Sequence, residues 1–484
     1  MNRIFFILFV FSITSCTYDK VEEPAPGNGF PTEVSAILVN KCATQGCHNT
    51  ASRNSVAGLD FSTWEKMFEG GRNGGSVIPY AEGNSFMLYS INTDTSRSPV
   101  LLPTMPYQEQ PLSESEYQTL VNWISNGSPD QNGLIKFSDN PDRKKIYICM
   151  QGCDKVAILD AKTKVIMRYV NIGVDPIAIE GPHQIRVSPD GKFWYAVFFS
   201  SNKLQKFRTS DDALVATLEL EQTIGNWNTI IITHDGKKGF VNDPTHNKTI
   251  VVNLETMVVE TIKSFDSPHG GFVSSDGHYL YLTTQFGKTL TKVDLTTAPF
   301  YDDATIGLGS TAPLNPHEAM LSPDGTKYFV SCQGTNEVRV MNASNDSLIA
   351  VIPVGQKPQE FDVSTTHPYI FVTCTEASIS SNQKGLLYVI DYNTNTIVAT
   401  LYTGYQPHGI AVDDEEDLVY VANLNYDDNG PAPHHVSECG GRNGYLTIVD
   451  VKTLQLYSKT QSDGFSYQYK NELLAYPYFV SIRK

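Results

Sequence analysis

Basic charge is scarce in this sequence: 36 Lys and Arg stand against 52 Asp and Glu, for a net charge of -16. That balance excludes binding to nucleic acid or to an anionic membrane through a basic footprint, because both require positive charge to displace counterions. Long apolar runs are absent except at residues 4–13, which is about half of the roughly 20 residues a membrane-spanning helix needs. No phosphate-cradling glycine loop, dinucleotide fingerprint or Ser/His/Asp arrangement is present, which argues against nicotinamide and hydrolase chemistry. Cysteine is sparse, 8 residues in all, so the placement of each one carries information. What the chain does have is size: 484 residues, 40% of them apolar, more than one ordinary core uses, so two domains are expected.

The amino-terminal residues Met1, Asn2 and Arg3 followed by the apolar stretch 4–13 read as a secretion signal. The stretch ends Ile13, Thr14, Ser15, Cys16, which resembles the bacterial lipobox, and the resemblance implies that residues 1–16 are a lipoprotein signal whose Cys16 is lipidated. Residues 17–30 are rich in Pro, Gly and acidic side chains, as a flexible tether is. Acyl chains would anchor the protein in the bacterial cell envelope, on the outer membrane by expectation, facing the periplasm or the surface. In that compartment cysteines can be oxidised or haem-linked.

Residues 31–130 are the first expected domain. Thr32 can cap a helix in which Val34, Ile37 and Leu38 fall at helical spacing. The helix delivers the chain into Lys41, Cys42, Ala43, Thr44, Gln45, Gly46, Cys47 and His48. A cysteine pair followed at once by histidine is the attachment pattern of c-type haem: two thiols add to two vinyl groups, and the adjacent imidazole sits under the iron. The usual pattern has two residues between the cysteines; here there are four, a variant that occurs in the cytochrome c family. The competing reading joins Cys42 and Cys47 in a disulfide and leaves His48 incidental. A zinc site lacks a second Cys/His pair at metal spacing in this domain. Met105, in Leu102, Pro103, Thr104, Met105, Pro106, is the candidate second axial ligand; Met87 is the alternative, and core packing is the ordinary use of either. A last helix starts at Ser113, where Glu116 completes a capping box and Leu112 is placed as a hydrophobic staple. Tyr117, Leu120, Val121 and Ile124 line one face of it. This order of haem motif, Met-Pro loop and final helix resembles the small cytochrome c domains of bacterial envelope proteins. The resemblance implies a small all-α domain holding haem c, with iron ligated by His48 and Met105 and no open position for a substrate.

After a linker at 131–142, residues 143–484 contain a repeat. Its copies are PHQIRVSPDG from Pro182, WNTIIITHDG from Trp227, PHGGFVSSDG from Pro268, PHEAMLSPDG from Pro316, PQEFDVSTTH from Pro358, PHGIAVDDEE from Pro407 and a last strand from Pro477. The spacing is about the 40–50 residues of a propeller blade. Each copy opens with an alternating strand. In four copies the turn contains Asp190, Asp235, Asp276 or Asp324 followed by Gly, a hairpin signal. A third strand ends in Asp or Asn with Thr three residues on, at Asp160, Asn253, Asp294, Asp391 and Asp450, where the short side chain can bond the amides of the next turn. Four strands per unit repeated radially make a β-propeller. Tyr147 to Asp160 lack a first strand and the segment from Pro477 lacks its successors, so the two ends should pair as a seventh blade and hide two sheet edges. The repeats resemble the YVTN type of bacterial propeller.

Innermost strands should bring His183, Asn228, His269, His317, Gln359, His408 and Tyr478 to one mouth of the central channel. One reading is a metal or substrate site on His183, His269, His317 and His408, with Glu180 and Glu318 nearby. The other is a repeat consensus whose histidines bond neighbouring loops and waters. An insertion at 423–443 in the sixth blade, containing Pro433, His434, His435 and Cys439, should lie on the same face as cap, ligand source or docking loop, or simply as a solvated loop. Cys149, Cys332 and Cys374 suit buried structural positions; a pairing of Cys153 with Cys149 is left open by the sequence.

The expectation from sequence is thus a small all-α cytochrome c-like domain followed by an all-β seven-bladed propeller. Its function would be electron transfer by a haem c lipoprotein, with a redox protein or a small-molecule substrate as partner. Whether it is also an enzyme is open: a haem-dependent oxidoreductase with a metal or substrate site at the channel, loosely similar to the cytochrome and propeller fusions among nitrite reductases, is the second reading. A non-catalytic surface binding protein is the third.

Overall fold

The computed structural model of the chain describes residues 27–98, 100–299, 301–376, 385–425, 438–441 and 443–483. Cys16 with its lipobox, most of the tether, and His434 and His435 lie outside these residues. Among the described residues no helix is long and apolar enough to cross a membrane.

Residues 145–482 form a seven-bladed β-propeller. The blades start at Pro182–Val187, Thr229–Ile232, Pro268–Val273, Pro316–Leu321, Gln356–Val363, Pro407–Asp413 and Pro477–Ile482, numbered here 1 to 7. Each first strand packs beside that of the next blade, and the last packs beside the first, which closes the ring. Second strands such as Phe193–Phe198 and Leu418–Asn423 are buried along nearly their whole length because each is covered on both faces by neighbouring blades. Fourth strands alternate between exposed and half-buried positions, as Val258–Ser264 does, because one face meets solvent. In the four hairpins with an Asp-Gly turn, Gly191, Gly236, Gly277 and Gly325 have φ of 68°, 71°, 74° and 68°, a conformation that side chains resist. The Asp/Asn–Thr turns also form as read: Asp160, Asn253, Asp391 and Asp450 accept from the amides of Thr163, Thr256, Thr394 and Thr453. At Asp294 the bond goes to Thr296 instead.

Blade 7 is built from both ends of the propeller. Lys145–Met150 pairs antiparallel with Pro477–Ile482, with Ile146 opposite Ile482 and Ile148 opposite Val480, so the ring closes as the strand pattern implies.

The expected separate all-α domain is not observed. Among the described residues 27–142 the α-helices are Thr32–Ile37, Trp64–Met67, Phe86–Ile91 and Glu114–Ser125, the longest of 12 residues. Glycines at 70, 71, 74 and 75 and prolines at 103, 106 and 111 interrupt helix between them. The core of this segment is built mostly of its own side chains but continues into the propeller. Its Phe68, Trp123 and Leu120 share one cluster with Val165 and Met167 of blade 7, and its Ile78 and Tyr89 join the propeller cluster around Ile146 and Tyr420. It is a partly helical apron on the rim of blades 6 and 7. The capping box at Ser113 and Glu116 is present, whereas Thr32 is the first helical residue and Pro31 stands at the cap.

A second insertion holds the apron in place and escaped the sequence reading. The fourth strand of blade 6 starts at Gln455–Leu456, leaves as a hairpin of Ser458–Thr460 and Ser466–Gln468, and resumes at Lys470–Ala475. Gln461 Nε2 donates to the carbonyls of Gly58 and Gly70 at 3.2 and 3.0 Å, and Arg53 meets Asp463 at 2.6 Å. Lys459 Nζ donates to the carbonyls of Glu69 and Thr163 at 2.5 and 2.7 Å, which ties hairpin, apron and blade 7 together.

Burial pushes the Lys459 amine down to about 7, against the pull of Glu69 and Asp160 and with that of Lys164. Above that value the unfolded chain holds a proton that the folded chain lacks, so stability should rise with pH from about 7 toward the ordinary lysine value near 10.4. Urea unfolding at pH 7 and pH 9 should show wild type gaining on the order of 1–3 kcal/mol relative to Lys459→Met. Parallel profiles for the two proteins would refute this role for the amine.

Candidate functional site

The apron carries the cysteine motif on a short helix that runs on as a π-helical turn, Leu38–Cys42. The four residues between the cysteines fold into a tight loop. Cys47 N donates to Thr44 O at 3.0 Å, His48 N donates to Cys42 O at 2.9 Å, and Gly46 supplies a φ of 83°. The longer spacing therefore still returns His48 beside Cys42. Lys41 pairs with Glu116 at 2.5 Å, which fixes the motif against the last helix.

Cys42, Cys47, His48 and Met105 line one cleft of about 520 Å³, within the 300–1,000 Å³ usual for small-molecule and cofactor sites. Its walls are mainly apolar, with Val56, Leu59, Phe61, Met87 and Ile91 among them, and Arg72, Asn73 and Glu472 add polar groups. Cys42 and Cys47 are free thiols, so the disulfide alternative for this pair is not what the structure shows. Burial, followed by the nearby Cys47, pushes the Cys42 thiol up to about 12. His48 is lowered by burial, lies 4.8 Å from the Phe61 ring, and has its Nδ1 buried without a hydrogen-bond partner. Both Met87 and Met105 face the cleft; Met87 is in the core and Met105 is half-buried, its amide donating to Ser90 O at 2.8 Å.

The second site is the channel. His183, His269, His317 and His408 are all buried and do converge, with ring centroids 4.2 Å apart for His269 and His317, 5.8 Å for His317 and His408, and 6.2 Å for His183 and His269. Tyr478 lies 3.8 Å from His408 and 4.3 Å from His183. The first strands approach one another so closely that a Cβ on Gly270 would come within 2.6 Å of Glu318, and one on Gly409 within 2.4 Å of Tyr478 O. Their backbone is pinned between blades: Asn242, Thr283, Ser331 and Thr373 each donate to the carbonyl of the next blade's ring residue, His269, His317, Gln359 and His408 respectively.

Burial, added to by neighbouring imidazoles, holds His183, His269 and His408 well below the ordinary histidine range, and burial alone takes His317 down to about 3. All four are neutral at pH 7. Glu318 and Glu360 lie side by side in the same layer; burial raises both, Glu360 to about 7, and the neighbouring Glu360 raises Glu318 further. The 3.5 Å contact between His317 Nε2 and Glu360 Oε1 is therefore not an ion pair. His269 Nε2, His317 Nε2, His408 Nδ1 and Glu318 Oε2 are buried without hydrogen-bond partners, each a cost of roughly 1–3 kcal/mol when nothing occupies the site. Glu360 was not singled out from the sequence. It stands third in its repeat copy, as Glu318 does in the copy before, and comparing that column would have found it. Glu180, by contrast, is spent on the amides of Val174 and Asp175 and on Ser201.

Cys153 is bonded to Cys439, not to Cys149. The bond joins the turn between the second and third strands of blade 7 to the end of the blade 6 insertion, both on the histidine face. Cys149, Cys332 and Cys374 are free and buried at the ends of second strands, and Cys149 Sγ donates to His183 O at 3.5 Å.

No family model matches the chain. Antigen Lp49 of Leptospira interrogans is 22% identical over 281 residues, covering 52% of this chain and 60% of that protein; the match spans less than two thirds of the relative's length. Among solved structures, a protein described as a candidate 6-phosphogluconolactonase from Bacteroides uniformis superposes with a TM-score of 0.54 at 13% identity, over 70% of this chain and 99% of the other. This likeness shows the propeller fold alone. Hydrazine synthase of Kuenenia stuttgartiensis overlaps with a TM-score of 0.46 at 16% identity, over 58% of this chain and 81% of that one, too little to inform fold or function.

In protein made without haem attachment, alkylation at pH 8 followed by peptide mass spectrometry should label Cys47 first. Cys42, buried and with its thiol near 12, should react at least tenfold more slowly, because the thiolate is the nucleophile. Equal labelling, or a Cys42–Cys47 disulfide, would contradict the geometry described.

Proposed function

We propose that this chain is an electron carrier of the bacterial cell envelope that holds haem c in the apron cleft. The supporting observation is the shared cleft itself: two free thiols, an adjacent neutral imidazole and a methionine converge on one apolar cavity of cofactor size. Cys42 and Cys47 would form the two thioethers, His48 would offer its imidazole, and Met105, on a loop free of regular structure, would offer its sulfur from the facing wall. When bound there, haem c supplies a one-electron iron centre. With His48 and Met105 both offered to the iron, no position would remain for a substrate, which would favour transfer over catalysis at this site. Val56, Leu59, Phe61 and Ile91 exclude water, and Arg72 at the cleft is the basic group suited to a propionate.

On this reading Cys16 anchors the chain by lipid, and the propeller is the platform on which a redox protein docks. The channel face suits that use: Ile177 is 92% exposed, and Ile224 and Phe286 on the same face are 70% and 63% exposed. A second reading, a surface binding protein, is favoured only by the likeness to a protein named as an antigen.

The chain expressed with a c-type maturation system should give a pyridine haemochrome equivalent to about one haem per chain, abolished in Cys42→Ser/Cys47→Ser. Met105→Ala should keep the haem but lower its reduction potential and open the iron to cyanide, whereas Met87→Ala should do neither, because loss of a thioether ligand lowers the potential. A colourless wild-type protein from a competent host would defeat the reading, and the reverse behaviour of the two methionine variants would reassign the ligand.

A further inference from the structure

We infer that the propeller channel is a binding site for one divalent first-row transition metal ion, held by His317, Glu360 and His408. The inference does not depend on haem in the apron cleft. Ligand atoms of the three residues all lie within 4.8 Å of one another, and all three side chains are buried. Small side-chain rotations would close them onto an ion at the 2.0–2.2 Å typical of imidazole nitrogen and carboxylate oxygen.

These imidazoles each leave a buried ring nitrogen free, as a ligand does before it takes an ion. His269 Nδ1 lies 2.9 Å from His317 O and donates to it, which fixes the tautomer that leaves Nε2 as an unprotonated, inward lone pair. His408 Nδ1 is buried and left without a partner, with the Tyr478 ring 3.8 Å away. His317 Nδ1 lies 3.4 Å from the Gln285 side-chain amide, and its Nε2 is unpartnered. Imidazoles that spend one nitrogen on a backbone or amide group and leave the other free are the usual outer-shell arrangement of metal-ligating histidine. A consensus histidine serving only the scaffold would have no need of the free nitrogen. Glu318, beside Glu360 and with one oxygen unpartnered, adds a second carboxyl to hold or neutralise the ion. Two imidazoles and one carboxylate with His269 adjacent suit Zn(II) or Fe(II) and leave a coordination position toward the channel.

The test uses the full chain, wild type and Cys42→Ser/Cys47→Ser, stripped with EDTA, loaded with Zn(II) or anaerobically with Fe(II), desalted, and counted for metal beside haem. One equivalent beyond any haem iron is expected in both proteins, so that failure of haem attachment leaves this result intact. Glu360→Gln and His408→Gln should bind Zn(II) at least tenfold more weakly. Zinc-edge X-ray absorption of the wild type should show nitrogen and oxygen neighbours with imidazole scattering, which keeps the test decisive even where a variant misfolds. Less than a tenth of an equivalent in wild type with both metals, unchanged affinity in both variants, or sulfur in the zinc shell overturns the assignment.

Discussion

The pairing of Lys145–Met150 with Pro477–Ile482 is the constraint on which the rest of the structure depends. It joins residues more than three hundred positions apart, so a large loop-closure entropy is met by contacts that form only when every blade is in place. Closure gives each second strand a neighbour on both faces and pairs the two strand edges that an open ring would leave free. It also sets the circumference, and so brings the first strands close enough for the ring residues to touch across the axis.

Closure places the apron as well. The chain enters blade 7 directly from the apron and returns to this blade from blade 6, whose broken fourth strand sends out the hairpin that grips the apron at Arg53, Gly58 and Gly70. The apron is tied to the ring by this grip and by a core, mostly of its own side chains, that continues into Val165 and Met167 of blade 7. A cleft built on such a segment is held by the propeller's rigidity. That is a useful property for a redox centre, whose surroundings should reorganise little when charge changes. The channel has the same character in more extreme form: four neutral imidazoles and two carboxyls stand on strands pinned by hydrogen bonds between blades.

The propeller was legible because its signals are local and repeated. Asp-Gly turns, Asp/Asn–Thr turns and strand alternation recur in register, and the unmatched strands at Tyr147 and Pro477 revealed the closure. The convergence of His183, His269, His317 and His408 followed from knowing which strand is innermost. The apron misled because a capping box, a helical stripe and a cysteine-histidine motif are equally local, and none of them says whether the segment's core is closed or continues into a neighbour. The role of residues 457–469 is set by contacts with residues 53–72 that no local pattern encodes. Cys153 found Cys439 and not Cys149 for the same reason: Cys149 points between blades toward His183 O, while the turn carrying Cys153 faces the insertion.

Covalent attachment at Cys42 and Cys47 is the point on which the functional account turns. Peptide mass spectrometry of the full chain, purified from a host with c-type maturation, reads it directly. The account predicts one peptide spanning residues 42–48 that carries the mass of haem with no free thiol on either cysteine. The same peptide recovered without added mass, its thiols free or joined to each other, would contradict it.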